Sequence, residues 1–280
     1  MHRGLDLDSV FSLLHILVVE PMTNVTLTLP EPGPNLRVIA GNAGFVPAGP
    51  FEIVMFRLDV EAEAVCASAA MLSDAERQRA GRFAFDRDRR RFIVARAGLR
   101  RLLSARLGMR PESIELTYGA CGKPAVARRF ADTDLRFNAS HSEDVAVCAF
   151  AFGREIGVDV EAVRVIPGAD EIASSFFSRR ENEAYLALDP CDRPLGFFNC
   201  WTRKEAFIKA LGDGLSHPLD RFDVSLTPDE PAKILRVEST PGDDCGWTLH
   251  GFSPGLGFVG AIVLQEFAVK SASMVGPDRV

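Results

Sequence analysis

Alternating apolar and polar positions mark the first regular segment of the chain at residue 51. The run FEIVMFRLDV (51–60) alternates and is rich in β-branched residues, which is typical of a strand. Ser73, followed by Glu76, forms a capping-box pattern and predicts the start of a helix. Apolar residues then recur at helical spacing over 86–107, and Gly108 is a typical helix terminator. Further short strands are predicted at 113–117, 134–138 and 144–152.

A second series of elements follows in the same order. Gly153-Arg154 predicts a turn, so the strand at 144–152 is expected to form a hairpin with an alternating strand at 155–163. Ser178 and Glu181 repeat the capping-box pattern. The remaining predicted helices are 170–176, 178–188 and 193–211, and the remaining predicted strands are 221–226, 233–238, 246–252 and 257–267.

The order strand, helices, strands thus occurs twice, which predicts an α+β fold of two similar halves in tandem, related by a pseudo-twofold axis. We expect the halves to span 51–152 and 153–270. Residues 1–50 contain the apolar run VFSLLHILVV and a Pro- and Gly-rich stretch. They are predicted to be a poorly ordered extension that does not complete the site, and 271–280 a tail.

The distribution of charge is more informative than its total. The chain of 280 residues carries a net charge of −6, so the protein as a whole is not expected to bind nucleic acid. From Arg77 to Arg110, however, twelve arginines occur with only two acids. This local excess suggests one confined anionic ligand, although a solvated arginine-rich helix would give the same pattern.

Hydropathy and cysteine usage predict the compartment. No apolar run reaches the roughly 20 residues needed to span a bilayer, so no membrane contact is expected. The six cysteines show no metal-ligand spacing and are typical of buried thiols in a reducing cytosol. A cytoplasmic location is therefore predicted.

Two carboxylates interrupt the apolar segment IGVDVE (156–161). On a strand, Asp159 and Glu161 project to the same side, while Val158 and Val160 project to the other. Neighbouring carboxylates that lose hydration repel each other, and a bound cation or an arginine between them removes the conflict. A strand side that faces solvent explains this motif alone equally well.

The segment WTRKEAFIK (201–209) places Trp201, Glu205 and Lys209 on one face of a helix, with Phe207 on the other side as part of a core stripe. A surface Glu–Lys pair at this spacing is common, so the pattern alone does not require a site. Lysine is rare, however, because the chain has five and two of them fall within this segment.

Two shorter segments offer further ligands for phosphate. His141 lies between two serines in NASHS (138–142), which is predicted to be a polar loop, and its imidazole can bind phosphate there. Lys123 in GKP (122–124) stands on a turn, where an ammonium group suits phosphate as a point charge. Each is weak alone, since a loop histidine is more often structural.

Together, these segments resemble the Sfp-type 4′-phosphopantetheinyl transferase family. The motifs that carry the resemblance are GKP at 122–124, FNASHS at 137–142, GVDVE at 157–161 and WTRKEAFIKALGDGL at 201–215. The stretch 72–104 is also similar to the opening helices of that family, and the resemblance covers 51–269. It implies transfer of the phosphopantetheine arm of coenzyme A to a serine of an apo acyl or peptidyl carrier protein, with release of 3′,5′-ADP.

The resemblance also implies roles for single residues. Asp159, Glu161 and Glu205 are expected to bind Mg²⁺, the implied cofactor, together with the pyrophosphate. Glu205 and Lys209 are the expected catalytic residues: the first orients or deprotonates the carrier serine, and the second stabilises charge on the pyrophosphate. The residues expected to contact coenzyme A are Arg79, Arg91, Lys123, Pro124, Ser140, His141, Lys204 and Lys209.

Within that set, Ser140 and His141 are assigned to the 3′-phosphate and ribose, Lys123 and Pro124 to the adenine end, and Lys204 to the pyrophosphate. Glu76 and Phe92 stand where the family pattern has a lysine and a threonine.

Two alternatives remain: an Mg²⁺-dependent nucleotide or coenzyme A hydrolase, and an inactive carrier-binding homologue. The duplicated length favours a monomer.

Overall fold

The computed structural model describes residues 51–127, 134–212, 217–238 and 246–266. The predicted extension at 1–50 and the predicted tail at 271–280 lie outside the described residues. The elements of the first half are strand β1 (Phe51–Arg57), helices α1 (Ala62–Ala69), α2 (Asp74–Ala80) and α3 (Asp86–Leu107), and strands β2 (Leu116–Tyr118), β3 (Pro124–Val126), β4 (Leu135–Ser142) and β5 (Val145–Phe152).

The second half repeats this order. Its elements are strand β6 (Ile156–Ala162), helices α4 (Ala169–Phe176), α5 (Arg179–Leu186) and α6 (Arg193–Leu211), and strands β7 (Phe222–Val224), β8 (Ile234–Val237), β9 (Trp247–Phe252) and β10 (Phe258–Gln265). In each half the first strand pairs with the last and the last with the one before it, giving the antiparallel sheets β1-β5-β4 and β6-β10-β9. The predicted α+β fold of two tandem halves is confirmed.

Local sequence signals set the limits of the helices in both halves. Ser73 with Glu76 and Ser178 with Glu181 form complete capping boxes at the starts of α2 and α5. The long third helix of each half ends at a glycine in the left-handed conformation, with φ of 65° at Gly108 and 82° at Gly212. A side chain would be strained there, which is why glycine ends these helices.

The predicted hairpin between 144–152 and 155–163 is wrong. Strand β5 is hydrogen-bonded to β1 on one edge and to β4 on the other, and β6 pairs with β10 instead. Because both edges of β5 are occupied, the turn after Phe152 leads into a new sheet. An apolar cluster that includes Val147, Val158 and Ile262 packs the two sheets against each other.

The cysteines were expected to be buried, and only some of them are. Cys148 and Cys200 are buried, whereas Cys66, Cys121 and Cys191 are exposed, and all five are free thiols. Across the ranges given above, no helix combines the length and the apolar character needed to cross a membrane. The cytoplasmic location stays a prediction.

Candidate active site

Helix α6 lies directly against strand β6, and a glycine permits this close approach. A Cβ atom added at Gly157 would lie 2.0 Å from the carbonyl oxygen of Ala206 and 2.4 Å from the amide nitrogen of Ala210. Any side chain at residue 157 would therefore push the helix off the strand. The contact brings the C-terminal turns of α6 onto the face of β6 that carries Asp159.

Lys209 is the centre of a charged cluster between α6 and β6. Its Nζ lies 2.6 Å from Oδ1 of Asp159, 3.3 Å from Oγ of Ser140 and 4.0 Å from Oε2 of Glu205. Asp159, Glu161 and Glu205 are each less than 10% exposed. The structure therefore brings Asp159, Glu205, the predicted catalytic lysine and Ser140 together, and Glu161 lies two residues after Asp159 on the same strand.

Burial and mutual repulsion perturb the titration of these groups. Burial, reinforced by the charge of Asp159, raises the pKa of Glu161 well above its usual value. Burial likewise raises the pKa of Glu205, with the charge of Lys209 opposing the shift and that of Asp159 adding to it. For Lys209, burial alone lowers the pKa, but the neighbouring charges of Asp159 and Glu205 outweigh burial and raise it.

Two carboxylate oxygens in this cluster are buried without a hydrogen-bond partner: Oδ2 of Asp159 and Oε1 of Glu205. Buried carboxylate oxygens are normally hydrogen-bonded or bound to a metal ion, so both atoms fit a cation with oxygen ligands. In the arrangement the structure holds, however, no three His, Cys, Asp or Glu side chains of the described residues converge as metal ligands. The ammonium group of Lys209 is hydrogen-bonded to Oδ1 of Asp159 instead.

Strand β4 supplies polar side chains to this cluster, and the predicted polar loop at 138–142 is wrong because these residues form the end of that strand. Ser140 donates a hydrogen bond of 2.7 Å to Oδ1 of Asp159, and Ser142 one of 2.8 Å to Oε2 of Glu161. Since side chains alternate along a strand, His141 projects to the opposite side and is exposed. Ser140 and His141 therefore do not share one binding surface.

Two basic residues assigned to coenzyme A lie in different surroundings. The guanidinium of Arg91 binds both oxygens of Asp59 at 2.8 Å and Oε2 of Glu143 at 3.2 Å, and this hydrogen bonding lowers the pKa of Asp59. Arg79 lies 5.3 Å above the ring of Phe92. It lines a cavity of about 1300 Å³ that none of the three carboxylates lines.

Lys123 and Pro124 lie beside the C-terminal end of α6. The Nζ of Lys123 donates to Oε2 of Glu155 at 3.0 Å and to the carbonyl of Ala210 at 3.1 Å. Lys123 thus reaches the residue next to Lys209 in sequence, and Pro124 begins strand β3. Both stay candidates for the rim of a ligand site.

The expected pyrophosphate contact of Lys204 is wrong. Its side chain is 1% exposed and forms an ion pair of 2.8 Å with Glu181, whose side chain is also 1% exposed. Its Nζ also donates to the carbonyls of Leu219 and Phe222, at 2.5 and 2.8 Å. An ammonium group has three hydrogens, so these partners leave Lys204 none for a ligand.

The first half contains the counterpart of this buried pair. Arg100 is paired with Glu76 at 2.6 Å, and Glu76 is the capping-box glutamate of α2 just as Glu181 is that of α5. Arg100 and Lys204 each lie eight residues before the glycine that ends their helix. Lys204 is thus part of a duplicated structural pair.

Sequence reasoning missed two residues that contact Glu161. Ser142 is buried and bonded to it, and Nη1 of Arg164 lies 4.0 Å from Oε2. The period-two pattern of polar residues in NASHS was the available signal for Ser142, since it indicates one face of a strand. No spacing rule pointed to Arg164.

Two family models match the chain, one in each half. A family model described as the 4′-phosphopantetheinyl transferase superfamily matches residues 155–256, and one described as the N-terminal part of 4′-phosphopantetheinyl transferase matches residues 60–152. The chain is 40% identical to 4′-phosphopantetheinyl transferase HetI of Nostoc sp., over 63% of this chain and 77% of that protein.

Two further relatives are more distant. The chain is 33% identical to 4′-phosphopantetheinyl transferase Sfp of Bacillus subtilis, over 61% of this chain and 73% of that protein. It is 32% identical to the human L-aminoadipate-semialdehyde dehydrogenase-phosphopantetheinyl transferase, over 55% of this chain and 52% of that protein.

Proposed function

Because the chain belongs to the 4′-phosphopantetheinyl transferase superfamily, we propose that it transfers the phosphopantetheine group of coenzyme A to a serine of an apo acyl or peptidyl carrier protein. The serine oxygen attacks the β-phosphorus, the bond to the bridging oxygen breaks, and 3′,5′-ADP leaves. The observation that carries the proposal is the buried cluster of Asp159, Glu205 and Lys209 between β6 and α6.

Mg²⁺ is the cofactor that we propose for this cluster, held by Asp159, Glu161 and Glu205. The support is that Oδ2 of Asp159 and Oε1 of Glu205 are buried without partners and that hard oxygen ligands suit this ion. When bound, the ion would neutralise charge on the pyrophosphate. Asp159 would need to exchange its bond with Lys209 for the ion, which frees the ammonium group for the pyrophosphate oxygens.

Glu205 is the proposed proton acceptor for the carrier serine. Its buried carboxylate faces Lys209, with Oε2 4.0 Å from Nζ, and a positioned carboxylate can accept a hydroxyl proton. Lys209 stabilises the negative charge that passes to 3′,5′-ADP. As in other phosphoryl transfers, positioning and charge neutralisation supply most of the catalysis.

We further propose that the protein acts as a monomer. Both halves contribute to the cluster within one chain, since Ser140 comes from the first half and Asp159 from the second. The carrier protein and coenzyme A are the proposed partners.

The experiment that tests this function is incubation of the purified protein with coenzyme A, Mg²⁺ and a panel of apo-carrier proteins, followed by intact mass measurement. A carrier should gain one phosphopantetheine group, its Ser→Ala variant should stay unmodified, and EDTA should abolish the transfer until Mg²⁺ is restored. Release of 3′,5′-ADP without a carrier would instead support a hydrolase. No mass change on any carrier would refute the transferase.

Coenzyme A recognition can be tested separately at His141. Its exposed imidazole is proposed to bind the 3′-phosphate, so His141→Ala should weaken binding of coenzyme A by about 10- to 100-fold, the range for one hydrogen bond to a charged group. Binding of dephospho-coenzyme A, which lacks that phosphate, should be nearly unchanged. Isothermal titration calorimetry of both ligands measures the difference.

His250→Ala is the control, because His250 packs against Phe51, with ring centroids 5.5 Å apart, and is not part of the proposed site. It should leave both affinities unchanged. Equal weakening of the two ligands by His141→Ala would show that His141 has another role.

A further inference from the structure

Strands β4 and β6 are joined by side chains rather than by a backbone ladder. Three polar residues, two apart on one face of β4, reach β6: Asn138 accepts from the amide of Val158 at 2.9 Å, Ser140 donates to Asp159, and Ser142 donates to Glu161. The first half thereby holds two carboxylates that belong to the second half. Asn138 fixes the strand itself, whereas each serine fixes one carboxylate.

Ser142 is the donor in its hydrogen bond to Glu161, because its oxygen already accepts a hydrogen bond from the amide of Ala162. Its Oγ accepts from the backbone amide of Ala162 at 3.1 Å and lies 2.8 Å from Oε2 of Glu161. A hydroxyl group has a single hydrogen, and the amide has taken an acceptor position, so the hydrogen is directed to the carboxylate. With Ser142 only 8% exposed, water does not compete for this bond.

Few other groups in the described part of the chain hold Glu161 in place. Arg164 approaches its Oε2 only to 4.0 Å, which is too far for a hydrogen bond, and Lys209 is bonded to Asp159. A buried carboxylate beside another one is repelled by it and turns away unless a donor holds it. The orientation of Glu161 therefore depends on Ser142.

We infer that Ser142 is a positioning residue that aims the Glu161 carboxylate at the cation. The inference rests on the proposed function, because it assumes that Glu161 is a metal ligand. Partners that orient metal ligands commonly contribute 10- to 100-fold to metal affinity. Ser142 acts through Glu161, because its hydroxyl group is engaged by Oε2 of Glu161 and by the amide of Ala162.

The test measures Mn²⁺ binding to the full-length protein in the presence of coenzyme A, with free Mn²⁺ followed by electron paramagnetic resonance. Ser142→Ala should raise the Kd for Mn²⁺ by about 10-fold. Ser142→Cys, which keeps a weak donor at similar volume, should give an intermediate Kd. The rate of carrier modification at low Mg²⁺ should fall in the same order and recover at high Mg²⁺.

Ser225→Ala is the matched control. Ser225 is 7% exposed, accepts from the amide of Lys233 at 2.9 Å and from Nη1 of Arg203 at 3.1 Å, and donates to the carbonyl of Pro231 at 3.1 Å, but it contacts none of the three carboxylates. This variant should lose comparable stability while its Kd for Mn²⁺ stays at the wild-type value. A purely structural role of Ser142 would make the two alanine variants behave alike.

The inference would be overturned if the Kd for Mn²⁺ of both Ser142→Ala and Ser142→Cys lay within about twofold of the wild-type value. In that case, carrier modification by the wild type would still leave the proposed function intact. If the alanine variant does not fold, the cysteine variant decides. A wild-type protein that neither binds Mn²⁺ nor modifies a carrier would refute the proposed function and the inference together.

Discussion

Replacing Glu205 with glutamine is expected to lower the turnover of phosphopantetheine transfer at least about 100-fold, the scale of losing one preorganised group that handles charge in the transition state. Glutamine keeps the size of the side chain but carries no charge and cannot accept the serine proton. Asp159→Ala should cause a comparable loss, because it removes the partner of both Lys209 and Ser140. Single-turnover rates at saturating coenzyme A, read by intact mass, measure both effects.

The stability of the Glu205→Gln protein separates a catalytic loss from a folding defect. Burial, together with the charge of Asp159, disfavours the ionised form of Glu205 and outweighs the opposing attraction of Lys209, so an uncharged glutamine at residue 205 should not lower the melting temperature in metal-free buffer. Glu171→Gln, a change at an exposed acid of α4, serves as the control and should keep full turnover. Wild-type turnover of the Glu205→Gln enzyme would contradict the proposed role.

Replacing Lys204 with alanine is expected to lower the free energy of unfolding by about 3–5 kcal/mol, because it leaves Glu181 buried without its cation. Chemical denaturation measures this loss. Arg100→Ala should cause a similar loss in the first half, since Arg100 and Glu76 form the equivalent buried pair. The affinity of the folded Lys204 variant for coenzyme A should be unchanged.

A double variant distinguishes the two roles considered for Lys204. Lys204→Met combined with Glu181→Gln removes both charges at nearly constant volume and should recover much of the stability lost by Lys204→Ala. If Lys204 contacts the pyrophosphate instead, the opposite is expected. Lys204→Ala would then bind coenzyme A weakly, and its free energy of unfolding would stay at the wild-type value. That result would restore the interpretation made from the sequence.

The sequence by itself determined the features that depend on neighbours along the chain. Ser73, Ser178, Gly108 and Gly212 set the ends of helices because caps and left-handed terminators act within one turn. The shared face of Asp159 and Glu161 likewise follows from the alternation of any strand. The succession of strand, helices and strands in each half, and with it the duplicated α+β fold, was predictable for the same reason, whereas helix α1 and strand β3 were not predicted.

Tertiary structure decided which strands pair and which side chains face the site. A short turn between two apolar strands looks like a hairpin in sequence, yet β5 pairs with β1 and β4, which are distant in sequence or separated by another turn. Helix α6 is buried on nearly all sides from Gly196 to Ile208, so amphipathic spacing could not tell the inward-facing Lys204 from the site-facing Lys209. The bonds from Ser140 and Ser142 to the carboxylates join residues 19 positions apart on different sheets, and only the packing of the two halves brings such groups within hydrogen-bond distance.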